Sequence, residues 1–201
     1  MTETARALAT LARKSGRKAV LQPRDFARAG LHPEQVRRLV RAGQIERAGR
    51  GRYLLAGADV PEDIGLALVA TAAPAAVVCL LTALRVHGIG TQAPREIWIA
   101  VDRRAAKPRI DYPPIRVVRF SGRALTFGIE AREIGGIPVR IYSAAKTVAD
   151  CFKYRNKIGL DIALEALKEG LRLKRFTRDE LWTAAGVCRV SRVLRPYLEA
   201  L

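Results

Sequence analysis

Apolar residues recur at helical spacing near the start of the chain, at Ala5, Leu8, Ala9, Leu11 and Ala12, until Ser15-Gly16 interrupts them. Pro23 then opens a short helix around Phe26 and Ala27, and Gly30 closes it. After Leu31-His32, Pro33 opens a further helix that runs to Gly43. Its apolar residues Val36, Leu39 and Val40 fall on one side at 100° per residue, with Glu34, Arg38 and Arg41 opposite and Gln35 and Arg37 on the flanks. A short helix, a tight turn containing Gly and a second helix predict a helix-turn-helix. Next, Gln44–Ala48 and Arg52–Leu55 alternate like strands around Gly49-Arg50-Gly51, which predicts a hairpin placed as the wing of a winged helix.

Small residues and a proline in Ala56-Gly57-Ala58-Asp59-Val60-Pro61 interrupt the periodicity and mark a linker. Beyond it the pattern predicts helices over about 62–72 and 76–87. Four strand-like runs follow: Glu96–Val101, Ile115–Phe120, Ile129–Ile134 and Ile137–Tyr142. Gly135-Gly136 joins the last two as a hairpin turn. Helices return over roughly 143–155, 158–171, 177–186 and 190–200. Grouped helices and grouped strands indicate α+β. The expected organisation is a winged helix-turn-helix domain over 1–57 and an α+β domain over 58–201, with a mostly antiparallel sheet packed by helices. The run Ile64–Leu84 holds 21 residues without a charge, long enough to suggest a membrane span. Pro74 in its middle and its many alanines favour two buried helices instead.

Charge narrows the partner. The 201 residues carry 36 Lys plus Arg against 19 Asp plus Glu, a net of +17, yet 49% are hydrophobic, which excludes a disordered basic tail. Residues 1–57 hold thirteen of the cations and four of the carboxylates, a net of +9. A folded, strongly basic chain calls for a polyanion, with nucleic acid ahead of an anionic membrane. Arginine can bond guanine O6 and N7 with two parallel hydrogen bonds, and glutamine can pair with adenine. Gln35, Arg37, Arg38 and Arg41 are therefore expected to read bases in duplex DNA. Arg50 and Arg52, with Arg47 beside them, are expected to hold the backbone or the minor groove. An ordinary amphipathic surface helix would carry such arginines too; the hairpin that follows favours the DNA reading.

The remaining chemistry is sparse. Cys79, Cys151 and Cys188 lie 72 and 37 residues apart and His32 and His87 stand on separate segments, so neither metal nor disulfide framework is expected. Lys146, Asp150, Lys153 and Lys157 share a helical face at steps of four, three and four. They read either as a surface for a phosphate or an acidic partner, or as an ordinary solvated face. Asp161, Glu165 and Glu169 read as a solvated face, and His87 as a packed or capping imidazole. Arg103, Arg104, Lys107 and Arg109 crowd a loop, and Arg189, Arg192 and Arg195 recur near the C-terminus. Walker loops, nucleophile elbows and zinc spacings are missing from the sequence, so no catalytic activity and no cofactor are expected. The start of the chain lacks a signal pattern, which predicts a cytoplasmic protein.

One set of residues resembles a known family. Thr82-Ala83-Leu84 with His87-Gly88, Pro94 and the Trp98 strand, then Tyr142-Ser143 and Lys146-Thr147-Val148-Ala149-Asp150, look like AbiEi-type antitoxins. Arg155–Asp161 and Arg195-Pro196-Tyr197-Leu198-Glu199 extend the likeness over nearly the whole chain. Thr82 stands where serine is expected in many relatives, with the hydroxyl kept. The resemblance implies a winged-helix repressor that binds inverted repeats in its own promoter as two copies on DNA. It also implies a second domain that counteracts a nucleotidyltransferase-like toxin in a bacterial type IV toxin–antitoxin system linked to phage defence. Two other readings stay open: a nucleic-acid-directed enzyme, nuclease or nucleotide-handling, and a plain transcriptional regulator without a toxin.

Overall fold

The structure is a computed structural model that describes residues 10–11, 18–57 and 61–201. The chain forms two compact units: residues 1–74 with 108–113 and 133–139, and residues 75–107 with 114–132 and 140–201. The helix expected over Ala5–Ala12 lies mostly outside the described residues; Thr10 and Leu11 are helical.

In the first unit, α1 (Pro23–Arg28) and α2 (Pro33–Arg41) both begin on proline, whose missing N–H costs nothing at a helix start. The buried Asp25 carboxylate accepts the Gln22 N–H at 2.8 Å and lies 3.4 Å from Lys18 Nζ, which fixes the entry to α1. Strands β1 (Ile45–Gly49) and β2 (Arg52–Leu55) pair antiparallel around Arg50-Gly51. Leu21 adds a bridge to Tyr53, each backbone N–H donating to the other's carbonyl at 2.8 and 2.9 Å. Leu11, Leu21, Phe26, Leu31, Val36, Leu39 and Ile45 form the core, with Phe26 edge-on to Tyr53 at 5.1 Å. Helix α3 (Ile64–Ala72) completes the unit and buries Leu66 to Val69.

A five-stranded sheet organises the second unit, with β3 (Val77–Val78), β4 (Ile97–Asp102), β5 (Ile115–Phe120), β6 (Ile129–Ile134) and β7 (Ile137–Tyr142) in the order β5-β4-β3-β7-β6. The tip of the β6–β7 hairpin is grouped with the first unit. At that tip Gly135 and Gly136 both have positive φ, 53° and 71°, as a two-residue turn matched to strand twist requires. Helices α4 (Leu80–His87), α5 (Arg123–Thr126), α6 (Ala144–Lys153), α7 (Arg155–Ile158), α8 (Leu160–Arg172), α9 (Arg178–Cys188) and α10 (Ser191–Glu199) accompany the sheet. Helix α6 buries nine of its ten residues, Lys146 and Asp150 among them, and only Lys153 at its end is exposed. Helix α9 breaks local preference twice. Gly186 sits in its last turn, where alanine would be more stable by about 0.5–1 kcal/mol. Arg189 follows it at φ 58°, a left-handed conformation that costs a side-chain-bearing residue about 1–2 kcal/mol.

Two expectations for this unit change. The sheet is mixed rather than mostly antiparallel: β4 runs parallel to β5 and β3 parallel to β7, while β3 and β4 are antiparallel. Alternation along a strand reports its faces and not its direction. The twelve residues between β4 and β5, long enough for a parallel return, were the available signal. The central strand β3 lies where the sequence pattern predicts the start of a helix over 76–87. Two valines are too short for any period to emerge, and only pairing with β4 and β7 makes them a strand. The uncharged run Ile64–Leu84 becomes α3, β3 and α4, and no helix among the described residues is long and apolar enough to cross a membrane.

Candidate nucleic-acid interface

Helix α2 turns Val36 and Leu39 into the core and presents Glu34, Arg37, Arg38 and Arg41 to solvent. Its amphipathic sequence forces this arrangement, since burying Leu39 swings residues 37, 38 and 41 outward. Within the described residues Arg38 and Arg41 have no ion-pair or hydrogen-bond partner and are free to bind a ligand. Arg37 pairs with Glu34 at 3.1 Å, an exposed contact worth a few tenths of a kcal/mol and easily exchanged for a phosphate. Gln35 is half-buried, and its side-chain oxygen accepts the His32 N–H at 2.8 Å. That oxygen is thus engaged in capping α2, leaving only the amide NH₂ for a base. Asp25 and Gln35 share this local role at the two helix starts, Asp25 three residues after Gln22 and Gln35 three after His32.

On the hairpin, Arg47 and Arg50 are exposed. Arg24, Arg37, Arg41 and Arg47 border one open groove of about 760 Å³ floored by Phe26, Val36 and Val40, so α1, α2 and β1 contribute cations to one side. Arg52 is different. It is 3% exposed, and its guanidinium lies across Gly49, its cross-strand partner, so close that a Cβ at position 49 would meet Nη2 at 2.5 Å. Among the described residues its Nε has no hydrogen-bond partner, and burial lowers its pKa while the Asp111 charge opposes that. The expectation that Arg52 holds DNA is corrected: it packs the hairpin. A glycine opposite an arginine across a two-residue turn was the sequence signal, because glycine leaves the space a guanidinium fills.

In the second unit the Lys146 face also resolves differently from its expectation. Lys146 and Asp150 are 0% and 2% exposed and form an ion pair at 2.5 Å. Lys146 Nζ lies 4.2 Å from the Tyr142 ring centroid and 4.8 Å from that of Phe120, so cation–π attraction supplements the pair. Cys188 donates its S–H to the other Asp150 oxygen at 3.2 Å. Burial pushes the Asp150 carboxyl up from the ordinary range, and the Lys146 ammonium works against that shift. The same burial raises the thiols of Cys79, Cys151 and Cys188. Neither Lys146 nor Asp150 can form part of a partner surface; Lys153 and Lys157 remain exposed.

Several of the motif residues between Thr82 and Asp150 hold backbone segments of the second unit in place. Thr82 Oγ1 accepts the Trp98 N–H at 2.9 Å and donates to the Glu96 carbonyl, which is why a hydroxyl is needed there. His87 Nε2 donates to the Tyr142 carbonyl at 2.7 Å, Tyr142 donates to the Leu125 carbonyl, and Ser143 caps α6. Glu169 accepts the Gly90 N–H, and Glu165 accepts from the backbone and hydroxyl of Thr91, so these two carboxylates anchor the loop after α4 rather than face solvent alone. Among the described residues no group of His, Cys, Asp and Glu is arranged to hold a metal.

With an exposed arginine helix beside a basic hairpin in one unit and a buried polar network in the other, the chain has the build of a regulator carrying a second, separately packed unit. Residues 6–56 match the family model described as a transcriptional regulator, AbiEi antitoxin. This agrees with the family resemblance read from the sequence over residues 6–56, and the residues from Thr82 to Glu199 that carry that resemblance lie outside the match. The crystal structure of the RV2827C protein from Mycobacterium tuberculosis is similar with a TM-score of 0.65 and 14% identity, over 96% of this chain and 76% of that one. At that identity the likeness concerns the fold. No curated protein sequence matches the chain.

Proposed function

We propose that this protein is an AbiEi-like antitoxin and autorepressor. Its first unit acts as a winged helix on the inverted repeats of its own promoter, and its second unit counteracts a nucleotidyltransferase-like toxin without catalytic activity of its own. The observation that carries the reading is α2: Arg38 and Arg41 stand exposed and unpaired among the described residues on the face opposite Val36 and Leu39, inside the segment that matches the regulator family. Arg38 and Arg41 reach base edges in the major groove, Arg37 exchanges Glu34 for a phosphate, and Arg47 and Arg50 hold the flanking backbone. Two copies meet on the repeat.

Fluorescence anisotropy with the chain's own promoter duplex and a scrambled duplex of equal length tests this. Preference for the promoter supports sequence reading, and equal affinity for both overturns it. Co-expression with the adjacent reading frame, scored by growth, tests the antitoxin role; growth arrest that this chain does not relieve removes that role and leaves a plain regulator.

A further inference from the structure

We infer that the second unit binds the phosphate or diphosphate group of a small molecule in a pocket built by Arg123, Lys153 and Arg189. These residues come from three separate elements, the first turn of α5, the end of α6 and the position after α9, and all border one cavity of about 560 Å³. The volume is within the range of small-ligand sites and exceeds what a bare anion fills. Among the described residues none that lines it is acidic, and none of the three cations has an ion-pair or hydrogen-bond partner. Three uncompensated positive charges around one opening repel one another until an anion arrives, and a diphosphate carries the matching charge. Val187 gives the cavity an apolar wall and, among the described residues, no aromatic ring lines it, so recognition falls on the phosphates rather than on a stacked base.

Two backbone observations point to the same cavity independently. Arg189 holds a left-handed conformation at φ 58°, where glycine would give the same α9 cap without strain. Gly186, one turn earlier, is helical, and a Cβ added there would meet nothing within 4 Å. Packing therefore does not require glycine at 186, and local geometry disfavours arginine at 189. Both choices make sense if position 186 must stay open above a ligand that Arg189 binds.

Calorimetric titration of the full chain with pyrophosphate and with ATP at low salt reads this directly. Saturable binding of either is expected, with Arg189→Gly and Lys153→Gln each weakening it roughly tenfold or more. Gly186→Ala is expected to weaken binding as well. Arg189→Gly and Gly186→Ala should melt at or above the wild-type temperature, so lost binding cannot be ascribed to lost structure. The inference is overturned if neither pyrophosphate nor ATP binds, or if Arg189→Gly binds both like the wild type. It is also overturned if Arg189→Gly weakens only duplex DNA, which assigns the three cations to the nucleic-acid footprint.

Discussion

Helices α2 and α6 both carry charged side chains, α2 Arg37, Arg38 and Arg41 and α6 Lys146 and Asp150, and put them to opposite uses. In α2 the apolar residues occupy one stripe, so Arg37, Arg38 and Arg41 are held away from the core and stay hydrated. In α6 the sequence Ala144–Phe152 is small or apolar almost all round, and the helix is buried on every side, taking Lys146 and Asp150 in with it. A helical wheel gives both helices a charged face. What separates them is whether the rest of the wheel can tolerate water, and in α6 it cannot. The buried charges then survive because each finds the other, with two rings and a thiol completing their surroundings.

The contrast can be broken most forcefully at the buried pair. Lys146→Met leaves the Asp150 carboxylate unpaired in the core and is expected to cost about 3–5 kcal/mol in chemical denaturation. Adding Asp150→Leu should recover most of that loss, because desolvation of the pair opposes its attraction. An exposed, dispensable pair would give less than about 1 kcal/mol for the single change.

Alkali should attack the second unit through its raised groups. Burial pushes Tyr154 up to about 12, with the Asp150 charge adding to it, and raises Tyr142 and the three thiols. In the unfolded chain thiols ionise near pH 8.5 and tyrosines near 10. Groups whose pKa is raised on folding stabilise the fold below the unfolded values and lose that contribution as pH rises through the folded ones. Stability should therefore decline from about pH 8.5 upward. Melting temperatures that stay flat from pH 8 to 11 would contradict it.

On the exposed side, Arg38→Ala should cost about 1–3 kcal/mol on the specific duplex and relax preference at one base pair. Equal loss on promoter and random DNA would remove its base-reading role. Arg50→Ala should weaken all sequences alike, whereas Arg52→Ala should lower the melting temperature and leave the ratio of specific to random affinity unchanged, because Arg52 packs on Gly49. The smallest effect is Gly186→Ala, a gain of about 0.5–1 kcal/mol, since the added methyl has room and alanine favours the helix.

Much of the first unit was legible because its signals are local. Pro23, Pro33 and Gly30 punctuate the helices, and the α2 stripe fixes which arginines point outward. The burial of Arg52 and the engagement of the Gln35 side-chain oxygen in a cap are not legible there, because cross-strand packing and cap bonding depend on partners that a helical wheel does not display. In the second unit the longer helices agree with the sequence pattern to within a few residues, apart from the start of α4, while the short α5 and α7 leave no periodic signal. The central strand β3 and the parallel pairings were missed, since a strand of two residues exists only through its neighbours.

By itself the sequence determined which helix of the first unit shows arginine to solvent, because amphipathic spacing and short-range turns act within about ten residues of chain. It also determined that the chain is strongly basic, at a net charge of +17, and apolar enough at 49% hydrophobic residues to build a core. Only the tertiary structure decided that Lys146 and Asp150 form a buried pair, that Arg52 fills the space over a glycine, and that Arg123, Lys153 and Arg189 gather at one cavity. Each of those outcomes depends on what residues distant in the chain bring beside a side chain, and the free energy of a charge depends on that company more than on its own spacing.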